Sequence, residues 1–253
     1  MRSLVVVAIL FATAAVAHSE ASHRRRDRRA AMKSKQASTT RRYHLGRLAI
    51  HGPLGGQSYG LPWDGALRDS TQLPDGDGYV IRRPLRSFAT KSTVDFVQHA
   101  IADIREQFPD AHVLAIGDMS GKAGGPITGH RSHQSGRDVD VGLIYKVVPD
   151  AFPREFAPAT EENLDCEATY ALISEFANTA RQGGAQIMFL DFNVQRMLYG
   201  WALDHGEDVA ELERIFQYPR AEAKTALVQH APNHDDHLHV RFHCPKNEPG
   251  CNE

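Results

Sequence analysis

Residues 237–242 read His-Leu-His-Val-Arg-Phe. Polar and apolar side chains alternate there with a period of two, the pattern of a strand whose faces meet unlike surroundings. Leu238, Val240 and Phe242 must enter a core. His237, His239 and Arg241 share the opposite face, which has to meet solvent or a metal. A strand expected over 138–145 starts with the same alternation: Asp138 and Asp140 on one face, Val139, Val141 and Leu143 on the other. If the two strands are antiparallel neighbours, Asp140 and the histidine pair converge on one ion.

The rest of the chain supplies a scaffold for such a sheet. Val94, Val97, Ile101, Ile104 and Phe108 recur at steps of three and four, which predicts a helix, with Ser92 and Asp95 as a capping pair. Further helices are expected over about 165–181, stopped by Gly183-Gly184, around Val194–Ala202, and near 209–217. Val113–Ile116 and Gln186–Leu190 read as strands, and the Gly-, Pro- and Asp-rich residues 52–78 as an irregular opening segment. These elements predict an α+β fold: a mainly antiparallel central sheet with flanking helices, in one domain over 43–253. With 253 residues, 42% hydrophobic and 24% charged, the chain can bury one sizeable core, and collagen-like, fully disordered and multi-span membrane readings are excluded.

Residues 1–17 read as a secretory signal: Arg2, an apolar run over Leu4–Ala14 too short to span a bilayer, and a small-x-small pattern at Ala15-Val16-Ala17. The alternative is an N-terminal anchor helix. Cleavage would leave no transmembrane span and place the protein in the periplasm or outside the cell. Residues 18–42 carry nine Lys/Arg against two acids, a net +7, and almost nothing apolar, so a disordered basic tail is expected. Residues 43–253 carry 19 basic and 29 acidic residues, a net −10. An exported, acidic body disfavours nucleic acid as a partner. The tail reads as a linker, or as a tether to an anionic envelope polymer or lipid head groups. Export also permits disulfides. Of the three cysteines, Cys244 and Cys251 close a short Pro/Gly-containing loop and are expected to pair, leaving Cys166 as a free, buried thiol on a helix.

Chemistry concentrates in histidine. Seven of the 14 histidines fall in two windows, 130–140 and 230–243. Zinc takes imidazole nitrogen and carboxylate oxygen, and a catalytic site keeps three protein ligands plus water. The first window offers a loop histidine and a strand carboxylate, the second two histidines on one strand face. A lone surface histidine carries no such meaning; two windows with the required types and spacing do.

The strings Ser132-His133-Gln134-Ser135-Gly136-Arg137-Asp138-Val139-Asp140 and His237-Leu238-His239-Val240-Arg241, followed by Cys244-Pro245, resemble the penicillin-insensitive murein endopeptidases, within the wider lysostaphin and D-Ala-D-Ala metallopeptidase group. The resemblance covers the body from about residue 75. It implies zinc held by His133, Asp140 and His239, which would make a hydroxide nucleophile available near neutral pH. It implies His237 as general base and then acid to the leaving amine, and His234 as a hydrogen-bond partner of the oxyanion or an exchange partner of His237. His130 would stand beside the metal as a supporting or accessory ligand, and Asp138 would support the ligands. The implied substrate is peptidoglycan and the implied reaction hydrolysis of its peptide cross-links, such as D-alanyl–diaminopimelyl bonds. A D,D- or L,D-carboxypeptidase on stem peptides and an inactive peptidoglycan-binding module are the alternatives.

Asp235 and Asp236 are read equally as orienting His237 or capping a turn. Arg241 either pairs with an Asp or binds a substrate carboxylate, and His230 and His243 default to the surface. Other hydrolytic chemistries lack their parts. No Ser-x-x-Lys occurs. Gly56-Gln57-Ser58-Tyr59-Gly60 matches the nucleophile-elbow string without a strand before it or a helix after it. Gly121-Lys122 lacks the remaining residues of a phosphate loop, and Cys166 has no nearby partner for a cysteine mechanism.

Overall fold

The computed structural model describes residues 57–253. The expected signal segment, the basic tail and the start of the domain at residue 43 lie outside the described residues. In chain order the elements are β1 (Gln57–Leu61), β2 (Asp64–Arg68), β3 (Thr71–Gln72), β4 (Tyr79–Ile81), β5 (Phe88–Ala89), α1 (Lys91–Gln107), β6 (Leu114–Ile116), β7 (Asp138–Gly142), α2 (Cys166–Thr179), β8 (Ala185–Leu190), α3 (Phe192–Asp204), α4 (Val209–Ile215), β9 (Val228–His230) and β10 (His237–Phe242). No helix among the described residues is long and apolar enough to cross a membrane.

Six strands form the central sheet in the order β4-β6-β7-β10-β8-β9. The three inner pairings are antiparallel; the outer ones, β4 with β6 and β8 with β9, are parallel. The α+β fold with a mainly antiparallel sheet and flanking helices is therefore the one that the alternation implied. Leu238, Val240 and Phe242 are buried. Phe242 stacks on Phe96 of α1 at 5.8 Å and meets Phe176 of α2 edge-on at 6.1 Å, so these two helices cover the apolar face of β10. Burying a Leu, Val or Phe side chain contributes roughly 1.5–3 kcal/mol, so β10 is held at the sheet centre by its apolar face.

The helices differ from expectation mainly at their ends. α1 is capped by Thr90, whose Oγ1 accepts from the Thr93 amide at 3.2 Å, not by a Ser92/Asp95 pair. The chain already turns helical at Lys91, so Ser92 and Asp95 lie inside the helix, where Lys91 Nζ reaches Asp95 Oδ2 at 2.6 Å. α2 begins at the Asp165 cap and ends through a 3₁₀ turn at Gly183, which is left-handed at φ +80°.

Two strand expectations need correction. β7 stops at Gly142, and all five of its residues are buried, because the loop between β6 and β7 lies over its carboxylate face. Residues 57–68 form a hairpin where an irregular segment was expected. Gly60 permits it: at φ +67°, a Cβ there would lie 2.3 Å from the Asp64 carbonyl oxygen. β1 is also joined by the C-terminal segment, through Gly60 N to Gly250 O at 2.8 Å and Asn252 N to Gly60 O at 3.0 Å. The expected Cys244–Cys251 disulfide closes that segment. Cys166 is free but only half-buried, and burial still pushes its thiol up from the ordinary value. Ser58 is buried in a strand that leads to another strand, so the elbow geometry is missing.

Candidate metal centre

β7 and β10 pair in a register that sets His239 opposite Asp140, Arg241 opposite Asp138 and His237 opposite Gly142. Side chains on facing positions of an antiparallel pair are the closest non-bonded neighbours a sheet offers. Here that rule brings together residues from the two histidine windows. His239 Nδ1 lies 3.2 Å from Asp140 Oδ1. His133 descends from the loop above, and its Nε2 lies 3.3 Å from the same oxygen.

The loop is held tightly enough to fix His133. Its backbone is left-handed at φ +67°, a conformation that a residue with a Cβ adopts at a cost. The His133 amide donates to Asp138 Oδ2 at 2.9 Å, and its Nδ1 donates to the Met119 carbonyl at 2.8 Å. A bond to a carbonyl requires the proton on Nδ1, which leaves a lone pair on Nε2. His239 is fixed in the complementary way, with Nε2 bonded to Asp138 Oδ1 at 3.1 Å and Nδ1 turned towards Asp140.

The outcome is a buried meeting of acceptors. His133 Nε2 and Asp140 Oδ1 are inaccessible to water, and neither has a hydrogen-bond partner; their 3.3 Å approach is not aligned as a bond. Unpaired buried acceptors of this kind are costly, and a cation relieves both together. The donor chemistry of two imidazoles and a carboxylate fits zinc, and each imidazole has its remote nitrogen anchored, as metal-binding histidines do. His130, His133 and Asp140 also offer ligand atoms all within 4.8 Å of one another. His133 and Asp140 are thus common to the grouping with His239 and the grouping with His130.

Electrostatics agree with geometry. Burial would raise both strand carboxylates. Asp140 is instead held well below the ordinary range by His133 and His239, and Asp138 by His239, Arg241 and His133. Burial would lower His239, but its bond to Asp138 and the nearby Asp140 carboxylate raise it. Asp138 accepts from His133 N, His239 Nε2 and Arg241 Nε, the last at 2.7 Å. That makes it the supporting carboxylate and settles Arg241 as paired rather than free.

The other expected residues stand around this centre. His237 lies at the rim, with Nε2 3.7 Å from Asp140 Oδ1 and Nδ1 bonded to Asp236 Oδ1 at 2.5 Å. Asp236, not Asp235, is therefore the orienting residue. His234 packs 4.8 Å from His237, ring to ring, and bonds through Nδ1 to the Pro232 carbonyl at 2.9 Å. Burial, reinforced by His237 and His239, pulls His234 down to about 4 against that bond. His130 bridges outward, with Nε2 2.9 Å from Asp118 Oδ2 and Nδ1 3.8 Å from Asp140 Oδ2. His230 and His243 are apart from the centre, bonded to the Phe192 amide and to Glu253 respectively.

Sequence reasoning missed Asp118. Its side chain is fully buried and meets Arg83 Nη1 at 2.7 Å, Arg86 Nη1 at 2.9 Å and His130 Nε2. Burial opposes its charge, but His130, Arg86 and Arg83 hold the carboxyl at about 2. Its carbonyl accepts from the Asp140 amide at 3.0 Å. An acid directly after the wholly apolar strand β6 and a glycine was the available signal. Phe156 and Arg82 gave none: Phe156 stacks on His237 at 4.9 Å, and Arg82 lies over its ring at 4.0 Å. Beside the centre opens a cleft of about 360 Å³, bounded by Asp140, His130, Asp118, His237, Phe156 and the arginines of 82–83.

The resemblance carried by the two windows extends well beyond them. Residues 58–182 match the family "Penicillin-insensitive murein endopeptidase", a stretch that includes His130, His133 and Asp140. The penicillin-insensitive murein endopeptidase of Klebsiella pneumoniae (strain 342) is 25% identical over 218 residues, covering 81% of this chain and 73% of that protein. The protein of the same name from Salmonella heidelberg (strain SL476) is 24% identical over 213 residues, covering 79% and 71%.

Proposed function

We propose that this chain, related to the penicillin-insensitive murein endopeptidases, is itself a zinc-dependent peptidase hydrolysing peptide cross-links of peptidoglycan outside the cytoplasm. The carrying observation is the convergence of His133 Nε2, Asp140 Oδ1 and His239 Nδ1 in a buried site. His133, Asp140 and His239 would hold the ion, with His130 as an accessory or supporting neighbour. Bound zinc would supply the Lewis acidity that polarises an amide carbonyl and acidifies water.

The chain's own groups handle protons. With Nδ1 donating to Asp236, His237 presents Nε2 as a base at the cleft, and Asp236 stabilises the imidazolium once the proton is taken. The same nitrogen then protonates the leaving amine. His234, neutral at pH 7 with its proton committed to Pro232, also offers an acceptor at Nε2. This fits a hydrogen-bond acceptor better than an oxyanion donor. The export signal expected at 1–17 and the Cys244–Cys251 bridge support a location beyond the cytoplasmic membrane.

Digestion of cross-linked sacculi with zinc-loaded protein tests the reading. Loss of dimeric muropeptides is expected; shortened monomer stems would indicate a carboxypeptidase, and no product at all would refute both. His239→Ala should abolish zinc binding. His237→Ala should keep zinc and lose roughly 10²–10⁴-fold in kcat.

A further inference from the structure

The cleft beside the metal-binding side chains holds several charges, and all but one of those nearest the centre are answered from within. Asp140 faces His133 and His239, and Asp236 is bonded to His237. Asp118 accepts from Arg83, Arg86 and His130. Arg241, the other arginine on the site face, is committed to Asp138. Arg82 is the exception. Among the described residues its guanidinium makes no ion pair, and Glu155, the remaining acid of the cleft, is exposed at the rim.

Arg82 is nonetheless held in place. Its Nε donates to the Arg154 carbonyl at 2.9 Å, and its guanidinium lies 4.0 Å from the centroid of Phe156. Phe156 stacks in turn on His237, with the rings 14° from parallel. One bond at Nε and one aromatic face fix the plane of the guanidinium and leave the Nη1 and Nη2 fork uncommitted. A pre-oriented arginine fork matches a carboxylate by donating two parallel hydrogen bonds to its oxygens. The stack also ties the distance between that fork and the proton-handling imidazole.

We propose that Arg82 forms a carboxylate-binding subsite of this cleft, taking peptides with a free carboxylate next to the scissile amide on the leaving-amine side. This rests on the peptidoglycan reading above. In a cross-link closed through diaminopimelate, the carbon that bears the scissile nitrogen also bears a free carboxylate. The D-alanyl side has none, because its carboxyl is in the bond being cut. A carboxylate seated on Arg82 therefore sets the leaving nitrogen beside the group that must protonate it.

The test uses zinc-loaded protein and two cross-linked stem dimers, one with that diaminopimelate carboxylate free and one with it amidated. Wild-type protein should prefer the free acid by about tenfold or more in kcat/KM, chiefly through KM. Arg82→Met should abolish the preference by weakening the free acid alone, and Arg82→Lys should retain part of it. Equal losses on both substrates, or a shifted pH profile of kcat, would mean that Arg82 acts only through Phe156 and His237, and the subsite would be overturned. Calorimetric titration of the product peptides, free acid against amide, reads the subsite without turnover. If neither dimer is cut but R82M alone loses the binding preference, the endopeptidase reading fails and the subsite stands. Wild-type indifference to amidation in both measurements removes it.

Discussion

Replacing Asp138 by asparagine isolates the support of the centre from the centre itself. The carboxylate is fully buried, with Oδ1 accepting from His239 Nε2 and Arg241 Nε and Oδ2 accepting from the His133 amide. Asparagine offers one oxygen and one NH₂. If its oxygen keeps His239 and Arg241, the NH₂ opposes the His133 N–H, donor against donor. An orphaned buried N–H costs about 1–3 kcal/mol. Arg241, only 9% exposed, also loses its counter-charge, and breaking a buried ion pair costs about 3–5 kcal/mol. These are overlapping descriptions of one change, so a loss of about 3 kcal/mol is expected. For a body of this size that lowers Tm by roughly 6–12 °C. Loss of the anchoring anion should also weaken zinc binding by about 10–100-fold. Thermal unfolding of the metal-free protein reads the first quantity, and competition with a chromogenic zinc chelator reads the second. Zinc affinity within twofold of wild type, together with an unchanged Tm, would refute this account of Asp138.

Three further outcomes follow from other parts of the fold. Asp118, Asp138 and Asp140 are all held below the ordinary carboxylate range, so their contribution is complete above about pH 4 and is lost as pH falls below it. Urea unfolding of metal-free protein should weaken from pH 4 towards 2, with part of that slope absent in Asp118→Asn; a flat profile would contradict it. Opening the Cys244–Cys251 bridge, a loop of sequence separation 7, should lower stability by roughly 2–3 kcal/mol on the chain-entropy estimate, measured by urea midpoints of Cys244→Ser/Cys251→Ser. Gly136→Ala should destabilise by about 1–3 kcal/mol: at φ +71°, its Cβ would sit 2.7 Å from Leu67 Cδ1 and 3.2 Å from Ala89 Cα. An unchanged unfolding midpoint would show that the loop bearing His133 tolerates a different backbone there.

What the sequence disclosed about the fold was whatever had a period. Leu238, Val240 and Phe242 named the core face of β10, and the 3–4 spacing of Val94 to Ile104 named the face of α1. The helix start was misplaced because Thr90, Ser92 and Asp95 are all competent caps, and only the direction of the incoming chain selects Thr90. The hairpin at 57–68 was obscured because its stability depends on Gly60 and on partners near residue 250, which no local window contains. The site divides in the same manner. Residue types and spacing pointed to a loop histidine, Asp140 and the His237–His239 pair. The family resemblance chose His133 and added His130 and His234, and β7–β10 pairing sets His239 opposite Asp140. Asp118 escaped notice because a single acid carries no spacing, and its importance arises from Arg83, Arg86 and His130 reaching it through space.

The position of β10 governs when this centre can exist. It is the last of the ten described strands in sequence, yet it lies between β7 and β8 in the sheet. Without it, the sheet is two separate pieces, β4-β6-β7 and β8-β9. The strand that unites them also brings His239 to carboxylates about a hundred residues earlier in the chain. Pairings so distant in sequence form late, because the intervening loop must close before they bring any gain. Sheet completion and site assembly are thus one event. A chain still being threaded or partly folded carries every histidine but cannot yet present the His239 side of its centre, so whatever chemistry it performs is withheld until the body is whole.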